Sequence, residues 1–437
     1  MDSVTEISVT SINNPTRPSR SFYLSSFTRP ASGPQPTKST PMNTTPGPNA
    51  QRPTPEIQSA AETQPAAESQ SKAGELPIAD TAERIPILDW TMPQLTQWLA
   101  DRSFPKFRAG QIFRWIYQRR ANAFEQMTDL PKDLRKQLDS AFEIFRSTTA
   151  AHQHSSDGTE KLLLQLADGG RIECVLLRDG PRRSICVSSQ VGCAMGCVFC
   201  ASGLDGVERN LTRGEILEQM LKLQQLLEAD ERLSHIVMMG MGEPLANLPR
   251  VLDALEVAKD TDLGLGISPR RITISTVGLP PAIDKLAAAD APYHLAISLH
   301  APNDELRNRL VPVNKNTGIT AILDAADRYF DKTRRRLTFE YVLLGGLNDS
   351  VQCARQLVQL LRGRTAMLNV IPYNPVPGLP YETPSPEAVL QFRRTLLDGG
   401  INVMFRQRKG DDIQAACGQL RRLREREPQV VGISQQK

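Results

Sequence analysis

A regular alternation of short apolar runs and longer amphipathic runs begins at Ser184 and continues through most of the remaining chain. The short runs predict strands, at residues 185–189, 235–239, 271–275, 294–298, 337–344, 367–371 and 402–406. The longer runs between them predict helices, including residues 213–228, 249–259, 320–330, 351–361 and 386–398. Strand–helix units of this length build a parallel sheet, and about six of them form a partial (β/α)6 barrel. In such a barrel the functional groups stand just beyond the carboxyl ends of the strands.

The residues before this alternation have a different character. Residues 1–85 are rich in proline, serine, threonine and glutamine, so they cannot bury enough apolar surface to offset their ordering entropy. We expect a disordered tail there; the alternative is a transit peptide. Residues 107–119 (FRAGQIFRWIYQR) place apolar side chains on one side of a helix and arginines on another, which is typical of an RNA-binding face or of a solvated one. Two apolar runs around Asp168-Gly169-Gly170 predict a β-hairpin.

The predicted organisation is therefore a series of five segments. They are a disordered tail (1–85), a small helical accessory domain for RNA binding (86–155), a hairpin extension (156–182), an α/β barrel (183–422) and a C-terminal tail (423–437).

Charge and cysteine content narrow the class of protein. A formal net charge of +4 permits contact with an anionic polymer without arguing for it. The apolar runs are too short to cross a bilayer, and no signal peptide precedes them. An odd number of cysteines, 7, without a secretion signal argues against a disulfide framework and for a reducing compartment. We therefore expect a cytoplasmic monomer without a membrane anchor.

The cysteines cluster, and three of them form a compact motif, Cys193-Ala-Met-Gly-Cys197-Val-Phe-Cys200. Gly192 and Gly196 allow the loop to turn tightly around a bulky group. Three thiolates can hold three irons of a [4Fe–4S] cluster, which leaves the fourth iron free to bind a small molecule. The alternative is a structural zinc site, which needs a fourth ligand such as Cys186 or His300.

This motif, with an aromatic residue before its last cysteine, resembles the signature of the radical-SAM superfamily. Further stretches resemble the RlmN/Cfr family of RNA adenine methyltransferases over roughly residues 90–422. They are residues 186–193 (CVSSQVGC), 239–244 (MGMGEP), 298–304 (SLHAPND), 371–375 (IPYNP) and 410–420 (GDDIQAACGQL). The superfamily fold is a partial (β/α) barrel, in agreement with the alternation of strands and helices.

The resemblance implies one [4Fe–4S] cluster whose open iron binds S-adenosylmethionine (SAM), and an electron that splits SAM into a 5′-deoxyadenosyl radical. It implies that Cys193, Cys197 and Cys200 hold the cluster. The SAM contacts it implies are Gly242, Glu243, Ser275, Ser298, Leu299, His300 and Asn374. By physical argument alone, glycines permit close approach of the backbone and a carboxylate accepts from an ammonium group. A serine at a strand end is more often a cap, and a turn asparagine usually bonds its own backbone.

Two cysteines outside the motif distinguish this family. The resemblance implies that Cys417 accepts a methyl group from one SAM and that Cys186 later attacks the Cys417 sulfur, forming a transient disulfide. A second SAM supplies the radical that activates the methyl group, so two SAM molecules are used per turnover. Glu173 matches the residue that accepts the proton leaving the adenine ring, although sequence alone would favour a surface glutamate. Cys174 and Cys353 match no functional position.

The resemblance implies methylation at adenine C2 of an adenosine in the peptidyl-transferase centre of 23S rRNA and of the adenosine 3′ of the anticodon in some tRNAs. It also implies an electron donor such as flavodoxin or ferredoxin. Three alternatives stay open. One is the C8 methyltransferase of the same family, which confers antibiotic resistance, because the motifs do not separate it from C2. The others are a zinc-stabilised RNA-binding module without catalysis and a radical-SAM enzyme for a small molecule.

Overall fold

The computed structural model describes residues 84–289, 293–406 and 409–420. The α-helices of these residues are α1 Met92–Asp101, α2 Arg108–Tyr117, α3 Lys132–Ala141, α4 Arg213–Gln224, α5 Leu248–Lys259, α6 Pro280–Ala288, α7 Asp304–Leu310, α8 Ile319–Thr333, α9 Val351–Leu361 and α10 Pro386–Asp398. The strands are β1 Ile85–Pro86, β2 Phe142–Glu143, β3 Thr148–His154, β4 Glu160–Gln165, β5 Arg171–Asp179, β6 Arg182–Cys186, β7 Gln190–Gly192, β8 Val207–Asn210, β9 His235–Met238, β10 Ile272–Thr276, β11 His294–Ser298, β12 Leu337–Leu343, β13 Met367–Pro372 and β14 Val403–Phe405. The two predicted tails lie almost wholly outside the described residues.

One large sheet organises the molecule. Its ten strands run in the order β14-β13-β12-β11-β10-β9-β6-β5-β4-β3. The pairs from β6 to β14 are parallel, and helices lie between successive parallel strands along the chain. The predicted α/β fold with a partial barrel is confirmed. The predicted hairpin is also confirmed, as the antiparallel pair β4–β5, and β3 adds a further strand beside it.

Burial and capping explain why these segments form their elements. Every residue of β12 is buried, as expected for a central parallel strand covered on both faces. Tyr341 of β12 packs 5.6 Å, centroid to centroid, from Phe392 of α10, and burying an aromatic side chain of this kind contributes about 2 kcal/mol. The Thr212 side chain accepts from Glu215 N in a capping box that begins α4.

The arginines of the N-terminal helical region contact the barrel. Arg120 donates to the carbonyl oxygens of Leu227 (2.9 Å) and Glu228 (3.1 Å), and Gln118 donates to the carbonyl of Asp262 (2.9 Å). Arg119 stacks on Trp115 instead. Arg114, an arginine of the predicted basic face, also donates to the carbonyl of Asp262 (3.4 Å), so part of that face is used inside the molecule, and the RNA-binding role of residues 86–155 stays a prediction. Among the described residues, no helix combines the length and apolarity needed to cross a membrane.

Candidate active site

The predicted catalytic residues of the hairpin and the first barrel strand share one face of the large sheet. Residues paired in register point to the same face, and so do residues two apart along a strand. Val175 of β5 pairs with Cys186 of β6, and Glu173 lies two residues before Val175. Lys161 of β4 pairs with Val175 from the other side. Glu173, Cys186 and Lys161 therefore project from the same face.

The same face continues across the parallel strands to the predicted SAM contacts. Val237 of β9 pairs with both Cys186 and Thr273. Ser275 lies two residues beyond Thr273, and its partner on β11 lies two residues before Ser298. Strand register thus gathers Glu173, Cys186, Ser275 and Ser298 on one side of the sheet, although they are far apart in the sequence.

Two polar residues on this face were missed from the sequence. Ser298 pairs with Glu340 of β12, and Glu340 pairs with Asn369 of β13. Glu340 accepts hydrogen bonds from Asn369 Nδ2 (2.6 Å) and Thr338 Oγ1 (3.0 Å), and burial raises its pKa. Asn369 Oδ1 is buried without a hydrogen-bond partner in the described part of the chain. The available signal was the presence of polar residues inside otherwise apolar strands.

The three loop cysteines lie directly after β7, and β8 fixes the start of their loop. Cys193 N donates to Gly206 O (2.8 Å), and a Cβ added at Gly192 would lie 2.0 Å from that oxygen. Burial raises the pKa of Cys193 to about 11 and also raises the pKa of Cys197 and Cys200, because desolvation disfavours the thiolates. A positively charged iron centre removes that penalty by binding thiolates. Three sulfur donors in one half-buried loop therefore fit an iron–sulfur cluster.

Glu243 joins the carboxyl ends of β9 and β10. Its carboxylate accepts from Leu245 N (3.0 Å) and Val277 N (2.7 Å), and burial raises its pKa to about 7. Gly242 has a φ of 101°, and an added Cβ would lie 2.6 Å from Gln190. We expected this glycine to allow approach to a ligand; the close approach seen here is between two segments of the protein.

The segment after β11 is held by its neighbours. Leu299 N and His300 N donate to Glu340 O at 2.9 and 3.2 Å, and His300 Nδ1 accepts from Val342 N (3.1 Å). Burial lowers the pKa of His300 to about 3, so the ring is neutral, and it packs edge-on against Phe199 of the cysteine loop. The His300 carbonyl also accepts from Asn348 Nδ2 (2.9 Å), so the ring and both backbone polar groups are hydrogen-bonded or packed within the protein, and the contact of His300 with SAM stays a prediction.

Arg307 of α7 was also missed from the sequence. It is fully buried and donates to the carbonyl oxygens of Leu299 (2.9 Å), Ser298 (2.8 Å) and Val277. It therefore fixes the backbone just beyond β10 and β11, where the predicted SAM contacts lie. An arginine within a charged helix gives no sequence signal that distinguishes it from a solvated one.

The turn after β13 offers an unused acceptor. Asn374 is buried, and its Oδ1 has no hydrogen-bond partner among the residues described. A buried amide oxygen left unpaired is unfavourable, so a bound donor would stabilise it. An amino group of a nucleoside or of SAM has the chemistry to do so.

The segment that carries Cys417, residues 409–420, is hydrogen-bonded to the residues that directly follow the cysteine loop and to the turn after β13. Ala201 N donates to Gly418 O (2.8 Å), Ser202 Oγ donates to Leu420 O (2.7 Å) and Gln419 Nε2 donates to Pro375 O (3.0 Å). Solvent reaches Cys417, yet the surrounding protein raises the pKa of its thiol. Burial, and to a smaller extent the Cys417 sulfur, raises the pKa of Cys186 to about 12, while Arg406 opposes both shifts. Both cysteines are free thiols.

A separate group of possible metal ligands lies elsewhere. Within the described residues, only His152, His154 and Glu160 bring three such donor atoms within 4.8 Å of one another. Glu160 neighbours Lys161 along β4, so this group lies on the opposite face of the sheet, and Arg178 already pairs with its carboxylate. Within the described residues, the sulfur atoms of the three loop cysteines do not all lie within this distance of one another.

Comparisons with known proteins agree with this geometry. Residues 187–357 match the Radical SAM superfamily, and residues 85–144 match the ribosomal RNA large subunit methyltransferase N-terminal domain. A probable dual-specificity RNA methyltransferase RlmN from Rhodopirellula baltica is 71% identical over 338 residues, which cover 77% of this chain and 91% of the relative. The corresponding protein of Bacillus subtilis is 45% identical over 340 residues, covering 78% of this chain and 93% of the relative.

A solved structure extends the likeness to the fold. A radical SAM methyltransferase from Sphaerobacter thermophilus is 43% identical, with a TM-score of 0.75 over 77% of this chain and 99% of that chain. The radical-SAM family implies a [4Fe–4S] cluster and SAM, for which the half-buried cysteine loop is suited. Since both the sequence and the fold match over most of the relatives' length, the chain belongs to the RlmN family of radical-SAM RNA methyltransferases.

Proposed function

We propose that this protein methylates adenine C2 in RNA, at adenosine 2503 of 23S rRNA and at adenosine 37 of some tRNAs. The name of the two relatives, probable dual-specificity RNA methyltransferase, supports two RNA substrates. The observation that carries the proposal is the gathering of Glu173 and Cys186 on one sheet face, with the Cys417 segment hydrogen-bonded to the cysteine loop. The protein works in the cytoplasm as a monomer, with flavodoxin or ferredoxin as electron donor.

The residues for the cofactors lie at the carboxyl ends of the barrel strands. Cys193, Cys197 and Cys200 hold the [4Fe–4S] cluster. The SAM-binding residues are Gly242, Glu243, Ser275, Ser298, Leu299, His300 and Asn374. When bound, cluster and SAM supply a methyl group in one step and, with a second SAM, the one-electron chemistry that removes a hydrogen atom from that methyl group.

Cys417 carries the methyl group to the base. Its thiolate displaces the methyl group from SAM, because a thiolate is a strong nucleophile, and the nearby Arg406 charge favours that ionised form. Accessibility of Cys417 to solvent is what a residue that meets an RNA base requires. The base reaches it by leaving its stack, which is easiest in a single-stranded RNA loop.

Glu173 and Cys186 complete the reaction. After the activated carbon has bonded to C2 of the ring, the Glu173 carboxylate accepts the C2 proton, and the unpaired electron of the adduct would return to the oxidised cluster when that cluster is bound. The Cys186 thiolate then attacks Sγ of Cys417, so that an S–S bond forms and the bond between sulfur and the new carbon breaks. The electron pair of that bond goes to the carbon, which takes up a proton and becomes the methyl group. A dithiol reductant returns both cysteines to thiols.

The proposal is tested with anaerobically purified, cluster-loaded protein, SAM, a reductant and unmodified 23S rRNA fragment or tRNA. Nucleosides of the digested RNA are identified by mass spectrometry. We expect 2-methyladenosine from the wild type and from Cys353→Ala, a matched control on α9, and none from Cys417→Ala. Detection of 8-methyladenosine instead would move the protein to the C8 branch. Neither product, with the cluster intact, would contradict the RNA assignment.

A further inference from the structure

We propose that Lys161 is a positioning residue that keeps Glu173 ionised and aimed at the substrate, and that it ties Glu173 to the segment carrying Cys417. This inference rests on the proposed function, since it concerns the proton acceptor of that reaction. Nothing in the family resemblance assigns Lys161 a role; the inference rests on two contacts of its ammonium group.

One ammonium group touches two parts of the site. Lys161 Nζ lies 2.9 Å from Glu173 Oε1 and donates to Gln414 O at 3.1 Å. Gln414 stands three residues before Cys417, and it is separated from Lys161 by 253 positions in the chain. The Lys161 side chain therefore contacts both Glu173 and the segment that carries Cys417. Gln414 has a φ of 53°, a left-handed conformation that a glutamine seldom adopts and that its surroundings must stabilise.

Burial makes this ion pair unusual. Lys161 is 5% exposed and Glu173 is 2% exposed, in strands whose other residues are mainly apolar. Replacing a buried ion pair by apolar side chains is often neutral or stabilising, so such a pair is weak evidence for a role in stability alone. Because this charged pair lies on the sheet face that carries Cys186, a role in the reaction explains it better than a role in stability.

The chemistry follows from what Glu173 must do. A carboxylate withdrawn from water tends to be protonated, and a protonated carboxyl group cannot accept the ring proton. An ammonium group in contact with it favours the ionised form. Once Glu173 has accepted the proton, Lys161 still has the Gln414 carbonyl as a partner, so its charge is not left without a hydrogen bond.

Lys161 is not the sole residue that holds the Cys417 segment in place. Gly410 N donates to Asp157 Oδ2 (3.0 Å), and Ala201 N donates to Gly418 O (2.8 Å). We therefore expect Cys417 to be methylated normally when Lys161 is replaced. The loss should appear only in transfer of the methyl group to RNA.

The experiment compares Lys161→Met, Lys161→Arg, Glu173→Gln and the double variant Lys161→Met with Glu173→Gln, all cluster-loaded. The matched control is Lys222→Met, because Lys222 also bonds a carbonyl, that of Ser147 (2.9 Å), and pairs with Glu218 (3.8 Å), but away from the site. Two quantities are measured: the S-methylated fraction of Cys417 by mass spectrometry, and the single-turnover rate of methyl transfer to RNA.

We expect Glu173→Gln to slow transfer about a hundredfold or more and Lys161→Met to slow it at least about tenfold, with Cys417 methylated in both. Lys161→Arg should recover most of the rate. The double variant should be no slower than Glu173→Gln, because residues acting through one another do not have additive effects. A Lys161→Met rate equal to that of Lys222→Met, or additive losses in the double variant, would overturn the inference. Normal transfer by Glu173→Gln would instead remove the proton-acceptor role from the proposed function.

Discussion

Glu243 shows how one carboxylate can serve both structure and ligand binding. Its two oxygens accept from Leu245 N and Val277 N, which ties the ends of β9 and β10 together. Burial raises its pKa to about 7, so near neutral pH the side chain is divided between its charged and neutral forms. An ammonium group of SAM would interact with the charged form, and binding would therefore draw the carboxyl group toward ionisation.

This coupling makes a prediction about pH. For a carboxyl group whose pKa is about 7, the ionised fraction falls roughly tenfold between pH 8 and pH 6. If only the ionised form binds the SAM ammonium group, the affinity for SAM should fall by about the same factor over this interval. Equilibrium binding of SAM to the cluster-loaded protein measures it.

Glu243→Gln is the control, since it keeps an acceptor but cannot titrate. The variant should bind SAM more weakly at pH 8 and should lack the part of the pH dependence that belongs to Glu243. An identical pH dependence in both proteins would show that another group, including the SAM amine itself, is responsible.

At the scale of elements, the short β7–β8 ribbon decides where the cysteine loop begins. Gly192 has a φ of 77°, and its added Cβ would meet Gly206 O at 2.0 Å. Gly192→Ala should therefore separate β7 from β8 and displace Cys193. We expect less than about half the wild-type iron and sulfide per chain after anaerobic reconstitution, because clash is added to the backbone strain of about 1 kcal/mol.

Gly169→Ala separates strain from clash. Gly169 has a φ of 84° in the hairpin turn, and nothing lies within 4 Å of its added Cβ. This variant should lose only the stability that backbone strain costs, about 1 kcal/mol, and should retain its iron. If Gly192→Ala also retained full iron and sulfide, the ribbon would not determine the geometry of the loop.

The elements also show what the sequence could predict. The barrel strands and the hairpin were predictable because burial on one or both faces imposes apolar runs of recognisable length. Strand β3 (TTAAHQH) was missed because it is an exposed edge strand whose polar residues carry no alternation. Helix α6 was not singled out from the sequence, because it begins with two prolines. Proline suits the first turn of a helix but is equally common in loops. Glu340 and Asn369 became visible only when strand register placed them beside Ser298.

At the scale of the whole molecule, the proposed site joins parts that are distant in the chain. The hairpin contributes Glu173, the first barrel strand contributes Cys186, and the segment beyond the last strand contributes Cys417. Asp157 and Gly410, 253 positions apart, are hydrogen-bonded at 3.0 Å. Such contacts form only in the complete fold, which is why no local sequence pattern reveals them. The N-terminal helical region contacts the loops that follow α4 and α5, through Arg120 with Leu227 and Gln118 with Asp262.

The contacts between the N-terminal helical region and the barrel allow a test of whether this region contributes to RNA binding. Arg120 donates to the carbonyl oxygens of Leu227, Glu228 and Glu231, and Arg120→Ala leaves all three without this donor. Hydrogen bonds to a charged donor are worth about 1.5–3 kcal/mol, so we expect a loss of stability of about 2–3 kcal/mol, measured by chemical denaturation. If the helices help to bind RNA, the KM for RNA should rise severalfold, while methylation of Cys417 in the absence of RNA should be unchanged.

The matched control is Arg334→Ala. Arg334 has a φ of 51° and Arg120 a φ of 59°, so both substitutions act on a left-handed arginine. Within the described part of the chain, the Arg334 side chain makes an exposed ion pair with Asp331 (3.3 Å) and a stacking contact with Phe330, which contribute little to stability. A raised KM in Arg120→Ala but not in Arg334→Ala would attribute RNA binding to the docked helices. An unchanged KM in both, with stability lost only in Arg120→Ala, would confine those helices to a structural role and place RNA recognition on the barrel and the hairpin.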